Sequence, residues 1–91
     1  MSLRRVHVIV RGRVQGVYFR EFTRRQAESL GLCGWVRNLP DRTVEAVLEG
    51  EDGSVEAMLT WLHRGSPMSA VSAVEAVEEA PRGEQGFAIR R

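Results

Sequence analysis

The sequence predicts an α+β sandwich, a β-α-β-β-α-β chain whose antiparallel sheet carries both helices on one face. Three observations predict it. Valine recurs at every second position near the N-terminus, which is the period of a half-buried strand. Two later stretches carry apolar residues at three- and four-residue steps, the period of a helix face. Glycines, with Pro40 and Pro67, punctuate the stretches where elements must end. At 91 residues the chain is long enough for one modest core and is expected to form a single domain over 1–91.

Residues 4–11 alternate, with Val6, Val8 and Val10 on one face and Arg5, His7, Ile9 and Arg11 on the other. This is the first strand, and a loop over 12–18 follows it. Phe19, Phe22, Ala27 and Leu30 then share one side of a helix that ends at Gly31. Glu21 and Arg25, four apart, support its exposed face. Gly34 to Leu39 is the second strand, and Pro40-Asp41-Arg42 is a turn. Thr43 to Glu49 alternates again, with Val44, Ala46 and Leu48 facing one way. The second helix is introduced by Asp52-Gly53-Ser54, with Ser54 as the expected N-cap. Val55, Met58, Leu59 and Leu62 form its core stripe, and Gly65 and Pro67 stop it. Residues 69–78 form a fourth strand, and Phe87-Ala88-Ile89 adds a short last one. The order is the ferredoxin-like plan of two split βαβ units.

Composition narrows the function classes. Hydrophobic residues at 43% and charged residues at 27% describe an ordinary globular protein. No apolar run nears the roughly 20 residues that span a bilayer, and no signal-peptide pattern opens the chain, so a cytoplasmic location without membrane association is expected. Cys33 is the only cysteine, which rules out an internal disulfide; beside Leu32 and Trp35 it is expected to fill core space. His7 and His63 lack a ligand-like spacing, so no metal site is expected. The 13 basic residues are all arginines, which excludes Schiff-base chemistry and a P-loop lysine. Seven of them (Arg4, Arg5, Arg11, Arg13, Arg20, Arg24 and Arg25) lie in the first 25 residues, where Glu21 is the only acid. The net charge is only +1. The field is therefore local, suited to a small anion rather than to a long polyanion.

Topology indicates where such an anion would sit. In a split βαβ unit the first two strands are parallel with the third between them, so their C-terminal ends share one edge, about 10 Å apart at two strand spacings of ~4.8 Å. The loop 12–18, Arg20 and Asn38 all reach that edge. Gly12 and Gly16 allow backbone turns in which successive N–H groups face one concavity. The following helix adds its unpaired N–H groups, and Arg20 adds a planar fork. A tight turn beside a solvated arginine is the plainer reading of the same residues. Asn38 can hold a water by donating and accepting at once, or can merely open the turn before Pro40.

The segment Gly12-Arg13-Val14-Gln15-Gly16-Val17-Tyr18-Phe19-Arg20 resembles the first signature of the acylphosphatase family, G-x-V-Q-G-V-x-[FY]-R, at each defined position. Gly34-Trp35-Val36-Arg37-Asn38 resembles the start of the second signature, and Val44 and Gly50 fit its later positions. One position departs: the family has a glycine four residues after the asparagine, and here that residue is Arg42. Arginine at positive φ would cost on the order of 1 kcal/mol, so the turn is expected to take a different path.

The resemblance implies hydrolysis of the carboxyl–phosphate bond of acyl phosphates by a ferredoxin-like domain of this length. It implies that the backbone N–H groups of Gln15, Gly16, Val17, Tyr18, Phe19 and Arg20, with the Arg20 guanidinium, hold the phosphoryl group. It implies that Asn38 orients the attacking water. No metal, cofactor or phosphoenzyme is implied, and inorganic phosphate is expected as product and inhibitor of a stand-alone monomer. Trp35 and Trp61 are expected to pack structurally, and Tyr18 to stay partly exposed in the loop. Two alternatives are weighed. A non-catalytic anion- or nucleic-acid-binding module of this topology would stack bases on central-strand aromatics, and Thr43 to Glu49 carries none. A related domain that handles carbamoyl phosphate would belong to a larger maturation protein, and the chain ends at Arg91 without zinc-finger cysteines.

Overall fold

The computed structural model describes residues 2–91. Its elements are β1 (Leu3–Arg13), α1 (Phe19–Ser29), β2 (Cys33–Asn38), β3 (Val44–Glu51), α2 (Asp52–Arg64), β4 (Ala70–Glu79) and β5 (Phe87–Arg90). The sheet order is β4-β1-β3-β2-β5. β3 lies between β1 and β2 and is antiparallel to both. The ferredoxin-like plan stands with one correction. β5 runs parallel to β2, so the sheet is mixed rather than wholly antiparallel. No helix among the described residues is long and apolar enough to cross a membrane.

The core lies between the sheet and the helices. Val6, Val8 and Val10 of β1, Val36 of β2, and Val44, Ala46 and Leu48 of β3 meet Phe19 and Ala27 of α1 and Val55, Met58 and Leu62 of α2. Leu59 packs at the margin and is only partly buried. In α1 the buried row is Phe19, Thr23 and Ala27. Phe22, expected in the core, lies beside it with the Arg25 guanidinium over its ring. A helix seats i and i+4 on one line, and Thr23 rather than Phe22 holds that line from Phe19. Cys33 is likewise not a core filler. It shares the other face of the sheet with Trp35, because Gly34 and Val36 take the core side of β2 and successive side chains alternate. There Arg37 and Arg90 stack over the Trp35 ring at 5.4 and 4.7 Å.

Two boundaries differ from expectation and one agrees. β1 continues through Arg13, across a bulge between Arg11 and Gly12 where it pairs with β4. A Cβ on Gly12 would stand 2.2 Å from the Ala70 carbonyl oxygen, so only glycine permits this close approach. α1 ends as expected: the Leu32 N–H donates to the Ala27 carbonyl at 2.9 Å and Gly31 N–H to Glu28 at 3.0 Å, the paired bonds of a Schellman cap. α2 begins at Asp52 with Glu51 in the N-cap position and no side-chain cap, so Ser54 lies inside the first turn.

The turn at Arg42 corrects a further expectation. Arg42 N–H donates to the Leu39 carbonyl at 3.1 Å, Leu39 N–H donates to Thr43 at 2.9 Å, and Arg42 has φ +74°. This is a three-residue hairpin loop whose last residue is left-handed. The chain does not reroute around the missing glycine; arginine occupies the glycine's conformation. Asp41 helps to enforce it, accepting from the Thr43 hydroxyl at 2.6 Å and the Thr43 N–H at 3.0 Å. Those bonds hold the Asp41 carboxyl below its ordinary range.

The other face of the sheet carries a buried ionic latch. Glu49, 5% exposed, accepts from the Arg82, Gly83 and Glu84 N–H groups at 2.7, 2.8 and 2.7 Å. Arg5, 3% exposed, donates to Glu49, Glu79 and Glu84 at 3.3, 2.9 and 3.0 Å. The latch ties the connector before β5 to β1 and β3. Burial alone would push the Glu49 carboxyl up. The Arg82 and Glu84 N–H groups, Arg5 and the Gly83 N–H outweigh it and hold the carboxyl below the usual range.

Arg42→Gly is expected to stabilise the fold by about 0.5–1 kcal/mol, because relief of the left-handed strain exceeds glycine's entropy cost. Thermal unfolding should show the melting temperature rising by about 2–6 °C. Glu49→Gln should destabilise by on the order of 3 kcal/mol, since Arg5 and the connector N–H groups lose their shared carboxylate. Because Glu49's folded pKa is depressed, its contribution is present above the unfolded value of about 4.3 and fades as pH falls through the lower folded value. Protection factors over residues 80–86, corrected for the intrinsic pH dependence of amide exchange, should fall on acidification in that window, and should already be low at neutral pH in Glu49→Gln.

Candidate active site

The register across the sheet assembles the site. Val10 of β1 pairs with Val44 of β3, and Val44 pairs with Asn38 of β2. Asn38 therefore stands level with the end of β1, where the chain leaves the sheet to enter α1. Val14 and Val17 turn into the core, at 1% and 7% exposure, and anchor the intervening loop at both ends. Phe19 anchors it again from below, with its ring centroid 6.0 Å from that of Trp61. The Gln15 side chain fastens the loop's middle to the β2–β3 hairpin by donating to the Leu39 and Thr43 carbonyls, both at 2.8 Å. That role was not legible in the sequence. It needs the hairpin, 24 residues away, to be folded beneath the loop.

Between these anchors the backbone twists twice into the left-handed region, at Gly16 (φ +73°) and Tyr18 (φ +59°). A Cβ on Gly16 would meet nothing within 4 Å, so the glycine is required by its dihedral and not by crowding. Tyr18 is the N-cap of α1 and supplies no side-chain cap. Its carbonyl accepts the first helical bond, from Phe22 N–H at 3.1 Å. Among the described residues, none of the N–H groups from Gln15 to Arg20 donates to a protein acceptor. Such a run of free N–H groups at an uncapped helix start is a nest with a positive field.

An open cleft of about 350 Å³ lies against this nest, lined by Val14, Gly16, Tyr18, Phe19, Arg20, Glu21, Asn38 and Ile89. Of the site residues singled out in the sequence, Gly16, Tyr18, Phe19, Arg20 and Asn38 share this cleft, whereas Gln15 and Val17 do not line it; Glu21 and Ile89 line it without having been singled out for the site. Arg20 is half-buried there and has no ion pair among the described residues. Glu21, the neighbouring acid, is held away from Arg20 by two others. Arg24 meets it at 2.6 Å and Arg25 at 3.3 Å, and its carboxyl lies below the ordinary range chiefly through the Arg24 hydrogen bond. Asn38 Oδ1 is buried and has no hydrogen-bond partner among the described residues. A buried acceptor without a partner is costly unless a ligand or water completes it. Tyr18, at 74% exposure, stands at the cleft mouth. Ile89 reaches the cleft only because β5 pairs with β2, which the short terminal strand did not reveal.

The acylphosphatase family model matches residues 6–89. The chain belongs to the acylphosphatase family. An acylphosphatase of Rubrobacter xylanophilus is 56% identical over 88 residues, covering 96% of this chain and 80% of that protein. Among solved structures, an acylphosphatase from Coxiella burnetii superposes with TM-score 0.93 at 43% identity, covering 97% of this chain and 93% of that one. The acylphosphatase of Bacillus subtilis gives TM-score 0.94 at 35% identity, with coverage of 99% and 100%. Membership at this level supports an acylphosphatase hydrolase, with a small acyl phosphate as the class of substrate.

Gly16→Ala is expected to lower stability by about 1 kcal/mol, since alanine must adopt φ +73°. Calorimetric titration with inorganic phosphate should show weaker binding as the nest relaxes.

Proposed function

We propose that Arg20, with the N–H groups of Gln15, Gly16, Val17, Tyr18, Phe19 and Arg20, holds the phosphoryl group of an acyl phosphate while Asn38 orients the attacking water. One observation carries this reading: the partnerless buried Oδ1 of Asn38 lies on the same cleft as Arg20 and Gly16. The amide oxygen accepts from water and fixes its direction. The water oxygen bonds to phosphorus, and the bond from phosphorus to the carboxyl oxygen breaks. Its electron pair leaves on the carboxylate, and the water proton passes to phosphate or solvent. A carboxylate is a good leaving group and the transition state is loose, so no strong general base is required. Catalysis rests on fixed donors around the equatorial oxygens and on alignment. The Arg20 fork supplies two parallel charge-assisted bonds, and the free N–H groups supply the rest.

A nucleic-acid-binding role is disfavoured by the open face of the sheet. Its β3 acids are Glu45, Glu49 and Glu51. Glu45 is paired with His7 at 2.6 Å and Arg37 at 2.5 Å, and Trp35 is covered by two guanidinium groups. A non-catalytic anion binder would bind phosphate and release no product.

Benzoyl phosphate hydrolysis, followed with and without chelator and with inorganic phosphate as competitor, tests the reading. Chelator-resistant, phosphate-inhibited turnover is expected; phosphate binding without turnover would favour the binding module. Arg20→Gln should reduce turnover to the uncatalysed level with loss of phosphate binding. Asn38→Ala should lower kcat by about 10²–10³-fold with phosphate affinity nearly intact. Near-normal activity in either variant overturns the roles.

A further inference from the structure

A second cleft, of about 450 Å³, adjoins the nest and is lined by Gly12, Arg13, Val14, Gln15, Gly16 and Arg42. It shares Val14 and Gly16 with the first cleft. Two guanidinium groups stand on it, and neither has an ion pair or side-chain hydrogen bond among the described residues. Arg13 lies at the end of β1 and Arg42 on the β2–β3 turn; both are exposed. Most other arginines nearby are already neutralised: Arg11 by Glu75 at 2.6 Å, and Arg24 and Arg25 by Glu21. The acid closest in sequence, Asp41, keeps its charge but is fixed on Thr43 and makes no ion pair with Arg13 or Arg42 among the described residues. Arg42 is also held at φ +74°, a conformation that costs an arginine on the order of 1 kcal/mol and that persists where the surroundings enforce it. Free positive charge, convergence on one concavity and a strained backbone coincide at one place.

We propose that Arg13 and Arg42 form a second anion subsite that selects acyl phosphates whose acyl part carries its own anionic group, a carboxylate or a phosphate. The inference rests on the reading of the first cleft given above. In-line displacement puts the leaving group on the side of phosphorus away from the water. Asn38 and Arg20 line the first cleft and are absent from the walls of the second. The second cleft, which shares Val14 and Gly16 with the first, is the adjoining wall on which we place the acyl tail when phosphorus sits in the nest. A neutral tail gains nothing from two guanidinium groups there, whereas an anionic tail gains charge-assisted hydrogen bonds.

The test compares benzoyl phosphate with 4-carboxybenzoyl phosphate and 4-(phosphonooxy)benzoyl phosphate, in the full chain and in Arg13→Gln and Arg42→Gly. The para position prevents internal attack by the tail. The quantity read is the ratio of kcat/KM for each anionic-tailed substrate to that for benzoyl phosphate. This ratio should fall about 5–10-fold in each variant, and the wild-type ratio should shrink as salt is raised. The arm with the larger fall names the preferred anion. Arg42→Gly removes backbone strain, so loss of folding does not confound it. An unchanged ratio, or equal losses on all three substrates, overturns the subsite. Calorimetric binding of 4-carboxybenzylphosphonate against benzylphosphonate reads the same preference without turnover. Absence of hydrolysis in the wild type would thus overturn the catalytic reading, while the subsite is judged on whether the binding preference exists and falls in the variants.

Discussion

The pairing of β3 with both β1 and β2 is the constraint on which the site depends. Each hydrogen-bonded register fixes which residue stands opposite which, and a slip by one position would turn every side chain to the other face. The run Val10, Val44 and Asn38 across three strands sets the end of β1 level with the end of β2. Valines and leucine on the core face hold that register because a slip would expose them to water. The energy that places an amide of β2 against a loop following β1 is thus mostly apolar burial, invested far from the cleft.

Within that frame the loop is rigid where it must be and unsatisfied where it can act. Val14, Val17 and Phe19 bury their side chains, and Gln15 ties the loop to the hairpin. The backbone between them cannot relax to pair its own N–H groups. Left-handed residues at Gly16 and Tyr18 turn those groups toward one concavity, and the helix that follows lacks a side-chain cap. Unmade hydrogen bonds are a cost in folding and a resource in binding. The hairpin that receives Gln15 also carries Arg42, so its geometry is fixed by the same contacts. This accounts for an arginine persisting in a glycine's conformation.

The open face of the sheet follows a different logic. Its charged groups are tied to one another, Arg5 to three carboxylates and Glu45 to His7 and Arg37. The Arg5–Glu49 latch fixes the connector that delivers β5, and β5 delivers Ile89 to the cleft. A structural ion network on one face thus shapes a wall of the candidate site at the edge.

The sequence by itself determined the element order, the core face of the strands, and the loop and strand end that carry Arg20 and Asn38, the residues proposed for the chemistry. These are local properties: periods of two and 3.6, and a motif contiguous in the chain. Only the tertiary structure decided the parallel pairing of β5, the seat of Thr23 in the place expected for Phe22, and the position of Cys33 on the open face. Only it showed Gln15 as a staple, since its acceptors lie on a hairpin distant in sequence. It also reversed the expectation at Arg42. Local preference disfavours an arginine at positive φ, and the bonds between Leu39, Thr43 and Gln15 outweigh that preference. Contacts between segments distant in the chain carry the energy that decides such conflicts, and they exist only once the sheet has formed.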